Sequence, residues 1–262
     1  MQSSTSSTHI LSMRVDISSP EQAAACVMGW AGETAGRYVC LANVHMCMET
    51  FDDPVFRLKV NQADLVVPDG RPLVWSLQML GCSQARQVRG PSLFLDLCAK
   101  AAAQGMPIGL FGGTPESLYD LQIYLRHEFP GLRIACAISP PFRSLTVAED
   151  EACIRQITES GARILFVGIG CPKQENWMAA HKGKLSCVMI GVGAAFDFFS
   201  GRRKQAPRWM QQAGLEWLFR LANDPRRLWK RYLRHNPRFV WQLGRQVVVA
   251  AAAQIFSRTR QD

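Results

Sequence analysis

"PIGLFGGTPESLYDLQIYLRHEFPGLRIACAISP", Pro107 to Pro140, is the stretch that decides the fold. A short apolar run ends in two glycines, Gly112 and Gly113. Thr114 and Pro115 then open a helix. A hydroxyl residue at the N-cap accepts an unpaired amide, and proline suits the first turn because the N–H it lacks would have no helical partner there. Ser117 stands where a capping-box Glu or Gln would be expected. "LRIACAISP" is a second apolar run. Strand, helix and strand within about thirty residues make a βαβ unit, whose strands must lie parallel.

The same rhythm continues on both sides. Downstream come a helix in "TVAEDEACIRQITESG", a strand in "ARILFVGIG", a helix in "CPKQENWMAAHKG" and a strand in "SCVMIGVG". Upstream, "YVCLANVH" (Tyr38 to His45) reads as a buried strand with a polar tip, and "ADLVVPDG" as a second, shorter strand. "METFDDPVFRLKVNQ" between them has helical spacing at Phe51, Val55 and Leu58. "PLVWSLQMLG" repeats apolar residues at Leu73, Val74, Leu77 and Leu80, and "PSLFLDLCAKAAAQG" follows with Ser92 as a candidate cap. The fold class expected is α/β: a Rossmann-like parallel sheet with helices on both faces. Ligands of such sheets bind at the carboxyl ends of the strands.

Three strand ends carry glycine turns: "LFGGTPES", "VGIGCPKQE" and "IGVGAAFD". Glycine lets phosphate approach helix N-terminal amides closely, although one such turn alone is also an ordinary tight connection. A dinucleotide fingerprint would need a third glycine three residues after the second; Lys173 and Phe196 stand there instead. Candidate substrate contacts are therefore Gly112, Gly113 and Thr114 at the first turn, Gly170, Lys173, Gln174 and Glu175 at the second, and Asp197 after the third. Glu175 could equally serve the helix dipole.

Asn43 and Asp69 end the first two strands. Asp69 sits between Pro68 and Gly70 on a turn, where it could cap the following helix or do chemistry. His45 is the nearest other base, with a structural role as its plainer reading.

The chain has 262 residues and a net charge of +9. Twelve arginines and lysines fall between Arg202 and Arg245, against only Glu216 and Asp224. Trp209, Trp217, Trp229 and Trp241 are interleaved with them, and Pro225 and Pro237 divide the segment into helical pieces. Arg and Trp together suit nucleic acid, an anionic membrane surface or a bound pyrophosphate. No run reaches the roughly 18 apolar residues of a membrane span. Nine scattered cysteines form no C-x-x-C pair, which speaks against a zinc cluster or a disulfide framework. The expected organisation is a disordered lead over residues 1–20, a Rossmann-like core over 21–200, and a basic helical C-terminal appendage over 201–262.

"ADLVVPDG", "LFGGTPES", "GIGCPKQENW" and "GVGAAFDFFSGRRKQAPRWMQQAGLEWLFRLANDPRRLWKRY" together closely resemble the WecG/TagA/CpsF family, glycosyltransferase family 26. The resemblance runs from about Tyr38 to Trp241. It implies an inverting, metal-independent transferase without a cofactor. Such an enzyme moves a sugar from a UDP-sugar to a polyprenyl-pyrophosphate-linked sugar. It implies a peripheral enzyme on the cytoplasmic face of the inner membrane, with the basic tail docked on the anionic surface. Nucleic acid is then no partner, and a homo-oligomer stays open. Carried over residue by residue, the resemblance makes Asp69 the general base, Asn43 and Gln174 pocket residues, and Arg220, Arg227 and, more loosely, Arg231 the pyrophosphate and lipid contacts.

The chain departs from the family pattern at Leu41, Gln87, Ser92 and Gln205. These departures line the expected sugar region. They favour a donor or acceptor other than that of the N-acetylmannosamine members, and point to the branch that builds lipid-linked glucose disaccharides for xanthan-type exopolysaccharide.

Overall fold

The computed structural model describes residues 6–33 and 35–258. The chain runs β1 (Ser7–Ile10), β2 (Met13–Asp16), α1 (Pro20–Ala31), β3 (Arg37–Ala42), α2 (Val44–Asp52), α3 (Pro54–Asn61), β4 (Leu65–Pro68), α4 (Arg71–Met79), α5 (Gly90–Ala103) and β5 (Ile108–Gly112). It continues through α6 (Pro115–Glu128), β6 (Ile134–Ile138), α7 (Val147–Ser160), β7 (Ile164–Gly168), α8 (Lys173–His181), β8 (Val188–Gly191) and α9 (Ala195–Phe199). Three helices follow: α10 (Arg208–Gln212), α11 (Glu216–Asn223) and α12 (Pro225–Arg258).

Six strands form one sheet in the order β4-β3-β8-β7-β5-β6, and every pairing is parallel. This is the Rossmann-like α/β fold expected. All carboxyl ends share one edge, so the residues after β3, β4, β5, β7 and β8 meet there. Alternation along the strands builds two cores. Tyr38, Cys40 and Ala42 of β3 face one way and join Phe56 and Val60 of α3 and Met178 of α8. Val39 and Leu41 face the other and join Val27 of α1, Phe94 and Leu97 of α5, and Leu121 of α6. Each Val, Leu, Phe or Met side chain among them contributes roughly 1.5–3 kcal/mol when removed from water. Phe239 and Leu243 of α12 belong to the first core, so the C-terminal helix is packed into the molecule.

The N-terminal expectation is corrected. Residues 1–5 lie outside the described residues, but Ser7 to Asp16 is an antiparallel hairpin, not a disordered lead. Ile10, Met13 and Val15 are fully buried. The Asp16 carboxylate accepts the Val66 amide of edge strand β4 at 2.7 Å, and the Asn61 side chain accepts the Arg14 amide at 2.9 Å. Gln246 of α12 also grips the hairpin, accepting from the Leu11 amide and donating to the His9 carbonyl, each at 2.8 Å.

Three other readings change. β3 stops at Ala42, so His45 lies in α2 and not on a strand tip. Met48 to Gln62 is not one helix either: Asp53 and Pro54 end α2 and start α3, with the Asp53 carboxylate accepting the Val55 amide at 2.8 Å. The buried face of α3 is Phe56 and Val60, while Val55 and Leu58 are each 60% exposed. Pro237 does not break the tail; α12 runs straight through it. Proline removes one intrahelical bond there, and packing of Leu228, Phe239 and Leu243 against the body of the protein holds the helix on both sides of it.

Candidate active site

β3 and β4 pair in register, with Ala42 opposite Pro68. The next residues, Asn43 and Asp69, therefore emerge side by side. The Ala42 carbonyl accepts both the Asp69 amide (2.8 Å) and the Gly70 amide (3.2 Å), which closes the turn. Gly70 lies against Asn43: a Cβ there would sit 3.5 Å from it, in ordinary van der Waals contact. The Asn43 side chain caps α2, accepting the Met46 amide at 3.1 Å.

Asp69 does not cap α4. That helix is capped by Gly70 without any side-chain bond. Asp69 Oδ1 instead accepts the amide of Gly90, the first residue of α5, at 2.7 Å. Ser92, the expected cap of α5, is exposed and caps nothing. The Asp69 carbonyl accepts from the Gln87 side chain at 2.6 Å, so the whole turn is tied to the segment before α5. Among the described residues, Oδ2 has no hydrogen-bond partner and is left for a substrate.

Burial raises the Asp69 pKa to about 6, and the nearby Glu216 carboxylate adds to the rise. The Gly90 amide, Arg220 and Arg89 pull the other way. A carboxyl group poised near 6 is ionised at neutral pH yet basic enough to accept a proton.

Glu216 and Arg220 come from α11, in the basic tail. They pair with each other at 2.5 Å, and the second Glu216 oxygen lies 3.5 Å from Arg89. The tail thus folds back over the carboxyl edge of the sheet, and a cleft of about 1650 Å³ lies between them. Asn43, Asp69, Gly113, Thr114, Gly170, Lys173, Gln174, Asp197, Arg220, Arg227 and Arg231 all line it. Arg89 and Glu216 are charged groups at Asp69 that sequence reasoning passed over. Glu216 sits inside the quoted "GLEW" run and Arg89 just before "PSLFLDLC", but their partners are far apart in sequence.

Gln174 is buried, with its amide bridging two groups. Its oxygen accepts the Gly193 amide at 3.2 Å, and its nitrogen donates to Glu175 at 2.7 Å. Glu175 lies behind it, fully buried, and does not line the cleft. Its expected substrate contact is corrected to support of Gln174, because the α8 turn points its side chain inward. Burial pushes the Glu175 pKa up to about 7. Gly112 likewise lies outside the lining: at φ +135°, a Cβ there would sit 2.5 Å from the Gly168 carbonyl oxygen. Glycine is needed there for the close approach of two strand ends.

Most of the remaining candidates have protein partners. Thr114 and Ser117 form the capping box of α6. Lys173 donates to the Phe142 carbonyl at 2.8 Å. Asp197 pairs with Arg203 at 2.9 Å and Arg227 with Asp224 at 2.6 Å. Arg220 and Arg231 each keep a buried Nε without a partner. His45 is a poor base: burial first, then Arg231, lowers its pKa to about 3.

The glycosyl transferase WecG/TagA/CpsF family model matches residues 8–253, which takes in the hairpin, the sheet and the tail. The family implies transfer from a nucleotide-sugar donor to a sugar acceptor, and on that match the chain belongs to the WecG/TagA/CpsF family of glycosyltransferases.

Proposed function

We propose that this protein is an inverting, metal-independent hexosyltransferase with Asp69 as its base. It moves a hexose, glucose as the best choice, from a UDP-sugar to a polyprenyl-pyrophosphate-linked sugar. The observation that carries the reading is Asp69 itself: a carboxylate with a raised pKa and a free oxygen, in a cleft rimmed by arginines. In one displacement, Asp69 Oδ2 takes the proton of the acceptor hydroxyl as that oxygen bonds to the anomeric carbon. The bond from that carbon to the UDP oxygen breaks on the opposite face, which inverts the centre. General-base help of this kind is worth about 10²–10⁴ in rate.

The departing diphosphate gains negative charge, and arginines placed beforehand stabilise it without reorganising. Arg220 and Arg231, with unpartnered Nε atoms, are the first candidates; Arg227 must exchange Asp224 for phosphate. Of the three glycine turns, the one before α6 is closed by its own capping box, whereas α8 and α9 begin without a side-chain cap. At the third turn the Gly193 amide is already held by Gln174, so the nucleotide phosphates are assigned to the turn at Gly170.

The choice of glucose follows from the departures near Asp69. Gln87 holds the Asp69 carbonyl, and Leu41 lines the cleft beside it. An N-acetylmannosamine or N-acetylmannosaminuronic acid donor is the alternative within the family. No helix among the described residues is long and apolar enough to cross a membrane. The enzyme is assigned to the cytoplasmic face of the inner membrane as a peripheral protein, held by the basic, Trp-bearing tail. One assay decides the donor: a panel of UDP-sugars against synthetic polyprenyl-pyrophosphate glucose and N-acetylglucosamine, with products read by mass spectrometry. Glucose transfer to the glucose acceptor is the expected outcome; transfer only from an N-acetylated donor selects the alternative, and no transfer from any donor removes the reading.

A further inference from the structure

His45 and Glu49 are one turn apart on α2, and His235 comes to them from α12. Glu49 Oε1 lies 3.4 Å from His45 Nε2 and 3.5 Å from His235 Nε2. One ligand atom from each of the three residues falls within 4.8 Å of both others. Neither carboxylate–imidazole approach makes a hydrogen bond among the described residues. The two separations from Glu49 fit another interaction better. A tetrahedral zinc ion with bonds of about 2.0–2.1 Å holds neighbouring ligand atoms roughly 3.3 Å apart. His235 is 5% exposed, and its other ring nitrogen, Nδ1, is buried without a partner. A cation bound at Nε2 does not reach Nδ1, but it would satisfy the ring nitrogen that Glu49 approaches without a hydrogen bond.

We propose that His45, Glu49 and His235 bind a first-row divalent cation, zinc above all, that pins the C-terminal helix to the core. Two imidazoles and one carboxylate are a known donor set for zinc, and the i, i+4 spacing of His45 and Glu49 puts both on one face of α2. His45 and His235 also line the cleft, so water can complete the coordination from that side. Arg238 is held by Asp52 at 2.6 Å, whereas Arg234, 3.8 Å from Asp52, keeps its positive charge near Glu49 and His235. Arg231, beside His45, also opposes the cation; its side chain is a proposed diphosphate contact and can swing toward that ligand. The site takes no part in the transfer step. It acts on the position of α12, which carries part of the cleft wall.

The test uses the full chain, freed of metal by a chelator and kept reduced. Zinc is titrated calorimetrically, and cobalt is followed by its visible absorption. One equivalent per chain, bound at micromolar or tighter affinity, is expected. Cobalt should give tetrahedral d–d bands without the near-ultraviolet charge transfer that thiolates produce. His45→Gln and His235→Gln should each weaken binding more than about 100-fold, and Glu49→Gln serves as a third, near-isosteric variant. Circular dichroism establishes that each variant is folded. Zinc should also slow amide exchange across α12 in the wild type. No stoichiometric uptake by the wild type, uptake with thiolate character, uptake unchanged in the histidine variants, or unchanged exchange in α12 each overturns the proposal.

Discussion

Asp69 carries two roles that one substitution can separate. Its Oδ1 holds the Gly90 amide, and its free oxygen faces the cleft. Asn at this position keeps an acceptor for Gly90 but cannot take up a proton at neutral pH. Asp69→Asn should therefore melt close to wild type while losing about 10²–10⁴ in kcat. UDP release and a thermal melt on the same preparation check both halves. In the wild type, kcat/KM should climb as pH rises through about 6, where Asp69 ionises. A flat profile from pH 5 to 7 would remove Asp69 as the base. Glu175 gives a different signal, in stability. Its folded pKa, about 7, lies above the ordinary 4.5. Between those values the native state holds a proton that the unfolded chain has lost, so stability falls as pH rises and the whole penalty is present above 7. Glu175→Gln removes a penalty on the order of 3 kcal/mol at pH 8 and none at pH 4. Urea melts at the two pH values should show the variant gaining on wild type only at the higher one.

At the scale of elements, the N-terminal hairpin tests whether edge-strand pairing stabilises the sheet. Asp16 accepts the Val66 amide of β4 and also pairs with Arg14 at 3.0 Å. Asp16→Ala leaves a buried amide unpaired, which costs about 1–3 kcal/mol. Asp16→Asn keeps the acceptor and should cost less, and denaturant midpoints compare the two. This hairpin also marks where the sequence stopped being readable. The run from β5 to α8 could be read because strand, cap and helix period coincide locally: Thr114, Pro115 and Ser117 announce α6 within four residues. β1 and β2 are four residues each, and what holds them is remote: Asp16 to Val66, Leu11 to Gln246. The apolar spacing of Phe51, Val55 and Leu58 misled because a break at Asp53 and Pro54 resets the helical phase. In the site, Asn43, Asp69 and Gln174 could be placed because parallel strands force their ends to one edge. Arg89 and Glu216 could not, since their role exists only once the tail lies over that edge.

For the molecule as a whole, the tail has an inward and an outward face, and only the outward one is free to meet a membrane. Leu228, Phe239 and Leu243 are buried against the body of the protein. Cutting the chain near residue 200 would expose those core contacts and confuse unfolding with lost docking. The outward face permits a cleaner experiment. Trp229, Leu233, Val240, Trp241 and Val248 fall along one side of α12, and Trp241 is 68% exposed. Lys230, Arg234 and Arg245 accompany them. Large exposed aromatics beside cations match the headgroup zone of an anionic bilayer, where the ring is half-buried and the cation meets phosphate. Trp229→Ala with Trp241→Ala should weaken partition onto anionic vesicles by about tenfold or more, some 1.4 kcal/mol, well below the value of fully burying two indoles. Transfer to a short, water-soluble acceptor should be nearly unchanged, because neither residue lines the cleft. Raising salt should weaken vesicle binding further, through the screened charges. Vesicle sedimentation against ionic strength reads both effects. Undiminished binding by the double variant would place the membrane contact elsewhere, whereas loss of soluble-acceptor activity would mean that these tryptophans support the cleft.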